Sequence, residues 1–162
     1  MSGQGLKYNV DIVMCIDCTG SMGSLLDTVK SKALHFYSDL RKRCEEKGKD
    51  VSELRIRTIA FRDFSADGKD AIADTGFLNI PAQEAEFNSF IRDLRPIGGG
   101  DEPENGLEAV AMAINSDWTS GGDKRRHVVV VWSDASTHPL GLEKSKTEYY
   151  PQNMPSTFDE LT

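Results

Sequence analysis

The stretch that most constrains this chain is Val10-Asp11-Ile12-Val13-Met14-Cys15-Ile16-Asp17-Cys18-Thr19-Gly20-Ser21-Met22. Its apolar run, Ile12 to Ile16, is short and lacks clean alternation, the pattern of a strand buried on both faces of a parallel sheet. Directly after it stand a carboxylate, two hydroxyls and a glycine (Asp17, Thr19, Ser21 and Gly20), and then a long amphipathic segment. An acid and hydroxyls at the carboxyl end of a central strand that feeds a helix lie where open α/β sheets bind ligands. Asp17, Thr19 and Ser21 alternate through a tight loop, which lets their oxygens converge on one point. Converging hard oxygen donors suit Mg²⁺. The loop is therefore the first candidate site.

The rest of the chain supplies a frame for it. Met22, Leu25, Leu26, Val29, Ala33, Phe36, Tyr37, Leu40 and Cys44 recur at helical steps, with Gly48 as the stop. Leu54 to Phe61 forms a second strand, and Arg62-Asp63 leads into a polar turn. Gly76 to Ile80 is read as an antiparallel edge strand, because the loop before it is short for a crossover helix. Pro81 opens a helix with Phe87, Phe90, Ile91 and Leu94 inward. The run Gly98-Gly99-Gly100-Asp101-Glu102-Pro103-Glu104 leads into another helix, with Leu107, Val110, Ala111 and Ile114 on one face. His127 to Trp132 is near-continuously apolar, again in the manner of a buried parallel strand, and ends at Ser133-Asp134-Ala135-Ser136. Residues 137–162 form a polar tail broken by Pro139, Pro151 and Pro155. This order predicts a single doubly wound α/β domain over 1–162, a mostly parallel sheet with helices on both faces.

Charge and cysteine content narrow the class. A net charge of −7 argues against a nucleic-acid surface, and Lys124-Arg125-Arg126 is only a short basic cluster before a strand. No apolar run reaches membrane-spanning length, and residues 1–9 are too polar and short for a signal peptide. Three cysteines make no disulfide framework, which points to a reducing, cytoplasmic setting. Cys15-Ile16-Asp17-Cys18 fits C-x-x-C, but Cys15 falls inside the buried run, so a redox pair is not expected. His35, His127 and His138 are too scattered for zinc.

Asp17-Cys18-Thr19-Gly20-Ser21 resembles the first loop, Asp-x-Ser/Thr-x-Ser, of the metal-ion-dependent adhesion site in the von Willebrand factor A-domain family. The resemblance spans roughly residues 8–136. It implies a Rossmann-like fold and a second loop that supplies one oxygen ligand. It also implies a third loop supplying an aspartate, which Asp134 matches. The family usually has threonine in the second loop; here the glycine run leads to Asp101, with Glu104 the other candidate. Asp101 is also suited to cap the following helix, with Glu104 at the capping-box position. Thr19 and Ser21 are likewise able to cap the first helix, although one hydroxyl suffices for that.

The resemblance thus implies Asp17, Thr19, Ser21, Asp101 and Asp134 as ligands of Mg²⁺, with Mn²⁺ or Ca²⁺ as alternatives. It further implies a protein partner that completes the ion's shell with a carboxylate, and no chemistry of the domain's own. A competing reading takes Asp17 as the nucleophile of a haloacid-dehalogenase-like phosphotransferase, whose loop is similar. The family's sheet normally continues past the third loop, and the tail offers no further strand. The expectation is therefore that the natural chain is longer, or that the last strand's edge is covered by the tail or by another chain, self-association included.

Overall fold

The computed structural model describes residues 6–98, 105–134, 136, 137, 139–141, 147, 148, 150, 151, 154, 155 and 157–161. Five strands form one open sheet: β1 (Lys7–Asp17), β2 (Asp50–Phe61), β3 (Ile72–Asp74), β4 (Leu78–Ile80) and β5 (Lys124–Trp132). The order is β3-β2-β1-β5, and β4 also pairs with β2. The long pairings, β1 with β2 and β1 with β5, are parallel; β3 and β4 run antiparallel to β2. Four α-helices accompany the sheet: α1 (Leu26–Glu46), α2 (Phe64–Asp67), α3 (Glu84–Asp93) and α4 (Gly106–Ile114). No helix among the described residues is long and apolar enough to cross a membrane.

The central strand owes its place to being apolar on both faces. Val10, Ile12, Met14 and Ile16 share a core cluster with Leu26, Val29 and Ala33 of α1 and Phe87 and Ile91 of α3. On the other face, Val13 and Cys15 meet Ile59 and Phe61 of β2 and Ala109 and Ala113 of α4. Because side chains alternate along a strand, the two clusters are two faces of one strand. Gly48, at φ +68°, lies just past α1, where a left-handed residue ends a helix without a Cβ penalty.

Four sequence expectations need correction. The spacing puts Leu107, Val110, Ala111 and Ile114 on the inner face of α4, but Glu108, Ala109, Ala111 and Ala113 are the buried side chains and Ile114 is exposed. The alanines carry no bulk to hold the helix off the sheet, so they face inward. Asn105 is the N-cap residue and the helix begins at Gly106, later than an opening at Asp101. β3 forms in the stretch expected to be only a polar turn. Finally, β5 is parallel to β1 but is the edge strand and is not buried: Val129 is 37% and Val131 45% exposed.

Residues of the tail are less polar in their packing than in their composition. Leu140, Tyr150 and Met154 are buried with Phe64, Ala71 and Ala111 in a third cluster. These described tail residues cover α2 and α4.

Candidate functional site

β1 ends at Asp17, and the chain turns at once into a 3₁₀ segment, Gly20–Ser24, before α1 starts. Asp17 is completely buried and Thr19 nearly so, whereas Ser21 and Asp134 face solvent. The Thr19 backbone N–H donates to Asp17 Oδ1 at 2.9 Å, and the Thr19 hydroxyl donates to the same oxygen at 2.6 Å. Thr19 Oγ1 lies 3.1 Å from Ser21 Oγ, and Ser21 Oγ lies 3.1 Å from Asp134 Oδ1. Ser133 donates its hydroxyl to Asp17 Oδ2 at 2.8 Å. Oxygens from the loop after β1 and the loop after β5 thus meet at one end of the sheet. This is the edge at which the strands end, where α/β sheets expose their ligand crevices.

Neither hydroxyl caps a helix. Thr19 stands at the N-cap of the 3₁₀ segment but makes no side-chain capping bond there, and the α1 N-cap position is held by Leu25. The hydroxyls serve the two carboxylates instead. Of the five residues implied as ligands, the structure brings together Asp17, Thr19, Ser21 and Asp134. Asp101 and its alternative Glu104 lie outside the described residues, as does His138.

The proton count in this cluster is informative. Three oxygen–oxygen contacts, Asp17–Thr19, Thr19–Ser21 and Ser21–Asp134, share the two hydroxyl protons of Thr19 and Ser21. A carboxylate oxygen only accepts. One contact therefore sets lone pair against lone pair. Such a group is short of positive charge, and its donors are the hard oxygens that Mg²⁺, Mn²⁺ and Ca²⁺ accept. Among the described residues no group of three or more His, Cys, Asp or Glu gathers as a metal cluster, this site included: it brings together two carboxylates, Asp17 and Asp134, and two hydroxyls.

Two residues that sequence reasoning passed over support the loop. Ser133 stood beside Asp134 in the sequence but carried no role; it holds the second oxygen of Asp17. Arg62 follows β2 and donates to four backbone carbonyls: from Nε to Cys18 at 3.1 Å and Ile97 at 2.7 Å, from Nη1 to Asp70 and from Nη2 to Arg95, both at 3.0 Å. Ile97 N–H donates to Cys18 O, and Gly20 N–H to Gly98 O, each at 3.0 Å. The first loop is thereby sewn to the segment that enters the glycine run. Gly98 sits at φ +75°, and a Cβ there would run into the Asp67 carboxylate, so glycine is favoured.

The C-x-x-C pair is inert in this fold. Cys15 and Cys18 are both fully buried. Burial pushes the Cys15 thiol up to about 12 and the Cys18 thiol up to about 11. The thiolate is the reactive form, so both are silent at neutral pH. Iodoacetamide applied to the native chain is expected to label Cys44, which is half-exposed, and to spare the other two until the chain is unfolded. Peptide mapping that finds Cys18 alkylated first would refute this.

No protein-family model matches the chain. It is 24% identical over 148 residues to the alpha-protein kinase vwkA of Dictyostelium discoideum, an alignment covering 91% of this chain and 21% of that protein. The chain spans about a fifth of the length of that relative. Among solved structures it is similar to the pilus adhesin SpaC of Lactobacillus rhamnosus GG, with a TM-score of 0.57 and 13% identity. That match covers 80% of this chain and 16% of SpaC. It is a likeness of fold.

Proposed function

We propose that the chain is a von Willebrand factor A-like domain, doubly wound in the Rossmann manner, that binds a protein partner through a divalent cation. Asp17, Thr19, Ser21 and Asp134 would hold the ion, joined by Asp101 or Glu104 from the second loop. Mg²⁺ is the first choice and Mn²⁺ or Ca²⁺ the alternatives. Once bound, the ion would offer positive charge to a carboxylate of the partner. The domain then acts by binding, without chemistry of its own, and the free thiols suit a cytoplasmic setting.

The observation that carries this reading is the proton deficit among four oxygens from two loops. The chain's own residues do the positioning. Ser133 and the Thr19 N–H fix both oxygens of Asp17, and Arg62 holds the loop that presents the hydroxyls. Asp17 is fully buried with both oxygens accepting hydrogen bonds, so it would reach an ion through the hydroxyls or a water, and the same burial weighs against its attack on a phosphoryl group. SpaC is named an adhesin, which agrees in kind with a binding role. The kinase named above extends far beyond the aligned segment, and its activity is not carried over.

Calorimetric titration with MgCl₂ and MnCl₂ tests the reading. Heat that saturates at one ion per chain is expected, with loss of that heat in the Ser21→Ala, Asp134→Asn double variant. A chain that takes up neither ion would overturn it.

A further inference from the structure

We propose that the groove between the second half of α1 and the amino-terminal ends of β1 and β5 binds an acidic peptide segment of a protein partner, anchored by one bulky apolar side chain. The groove encloses a cavity of about 270 Å³. Val10, Leu40, Cys44 and Val128 give it an apolar lining. Leu40, Arg43, Cys44 and Lys47 follow at helical spacing, so α1 presents one face to it. The volume falls short of the roughly 300–1,000 Å³ that encloses a drug-sized ligand. A single large side chain is the better fit.

Charge specifies what surrounds that anchor. Among the described residues, Arg43, Lys47, Lys49 and Arg126 line the groove and no carboxylate does, in a chain whose net charge is −7. Lys49 Nζ lies 5.5 Å and Arg126 Cζ 5.3 Å from the centroid of the Tyr8 ring. The ring attracts both cations, but it also holds two like charges around one small opening. An anion seated there relieves their repulsion. Arg43 has only a 3.6 Å surface contact with Glu46, which competes weakly. Carboxylates flanking a Trp, Phe or Leu match apolar lining and cationic rim together.

The groove is separate from the acidic site. Tyr8 and Asp17 lie at opposite ends of β1, about 30 Å apart at the usual rise of a strand. The inference therefore stands apart from the metal reading, and its test runs in EDTA so that capture of a carboxylate by an ion plays no part.

Phage-displayed random dodecapeptides would be selected on the wild-type chain and counter-selected on Lys49→Glu, Arg126→Glu, with circular dichroism confirming that the double variant folds. Enriched sequences are expected to carry acids beside one bulky apolar residue. Synthetic versions should bind at least about tenfold more weakly to the double variant and lose affinity as salt rises. They should also protect Cys44 from iodoacetamide, a readout on the wild-type chain that decides the matter even where the double variant fails to fold. Enrichment of peptides without acids, equal binding to both chains, or binding that leaves Cys44 open would overturn the proposal. So would self-association of the wild-type chain that the double variant abolishes, since the groove would then belong to a second copy.

Discussion

Asp17→Asn is expected to remove divalent-ion binding while the chain keeps its fold. The amide is nearly the same shape as the carboxylate and meets the same neighbours. Its oxygen can accept from the Thr19 N–H and hydroxyl, and its NH₂ can donate to Ser133 Oγ, which turns to accept. What disappears is the buried carboxylate at the centre of the oxygen cluster. Affinity for Mg²⁺ or Mn²⁺ should fall by more than about 100-fold, the upper end of what outer-shell partners alone cost. Asp17→Ala is a poorer tool. It leaves the buried Thr19 N–H without its acceptor, at about 1–3 kcal/mol, and so mixes folding with binding. Calorimetry for the ion and urea unfolding for the fold separate the two. An Asn variant that folds and binds the ion as tightly as wild type would end the metal reading.

Much of this arrangement is legible in the residues because the relevant elements are long or strongly patterned. Ile12–Ile16 and the heptad-like spacing from Leu26 to Cys44 admit few other structures. Asp17, Thr19, Ser21 and Asp134 could be proposed as one group because each follows a strand that the sheet brings to a common edge. The misreadings have physical causes of the opposite kind. On α4, hydrophobicity favours Val110 and Ile114 for the interior, yet close packing on Phe61 and Val13 selects alanine. Glu108 looks like a solvent residue, but it is buried and accepts from the Tyr150 hydroxyl at 2.9 Å, a partner 42 positions on. Leu140, Tyr150 and Met154 are isolated apolar residues without a period, so nothing local announces that they pack together. Arg62 acts on backbone carbonyls, which leave no signature in residue types. Asp101 and Glu104 remain as the sequence presents them, outside the described residues.

The largest effect on stability is expected from Arg55→Ala, at the end of the sheet away from the site. Asp11 and Arg55 are directly paired across β1 and β2. Arg55 Nε and Nη2 donate to the two oxygens of Asp11 at 2.8 and 2.7 Å, and the Thr119 N–H adds a bond at 2.7 Å. Asp11 is 1% exposed. Burial alone would raise its pKa, but the bonds from Arg55 and Thr119 outweigh that and hold the carboxyl below its ordinary value. Removing the guanidinium leaves a buried charge with only the Thr119 donors, at a cost of about 3–5 kcal/mol. That is a large share of the roughly 5–15 kcal/mol that keeps a domain folded. The sign of the pH dependence follows. A carboxyl depressed in the folded state contributes stability above its unfolded value of about 3.9 and loses it as pH falls through the lower folded value. In Arg55→Ala the Arg55 contribution is gone and burial remains, so Asp11 takes up its proton earlier on acidification. The penalty of the substitution should thus be greatest at neutral pH and shrink toward pH of about 4, where the variant no longer buries a charge. Urea unfolding of both chains at the two pH values measures this directly. A penalty of the same size at both would mean that Arg55 stabilises the sheet through packing on Phe77, whose ring centroid lies 4.2 Å from its Cζ, and not through the charge of Asp11.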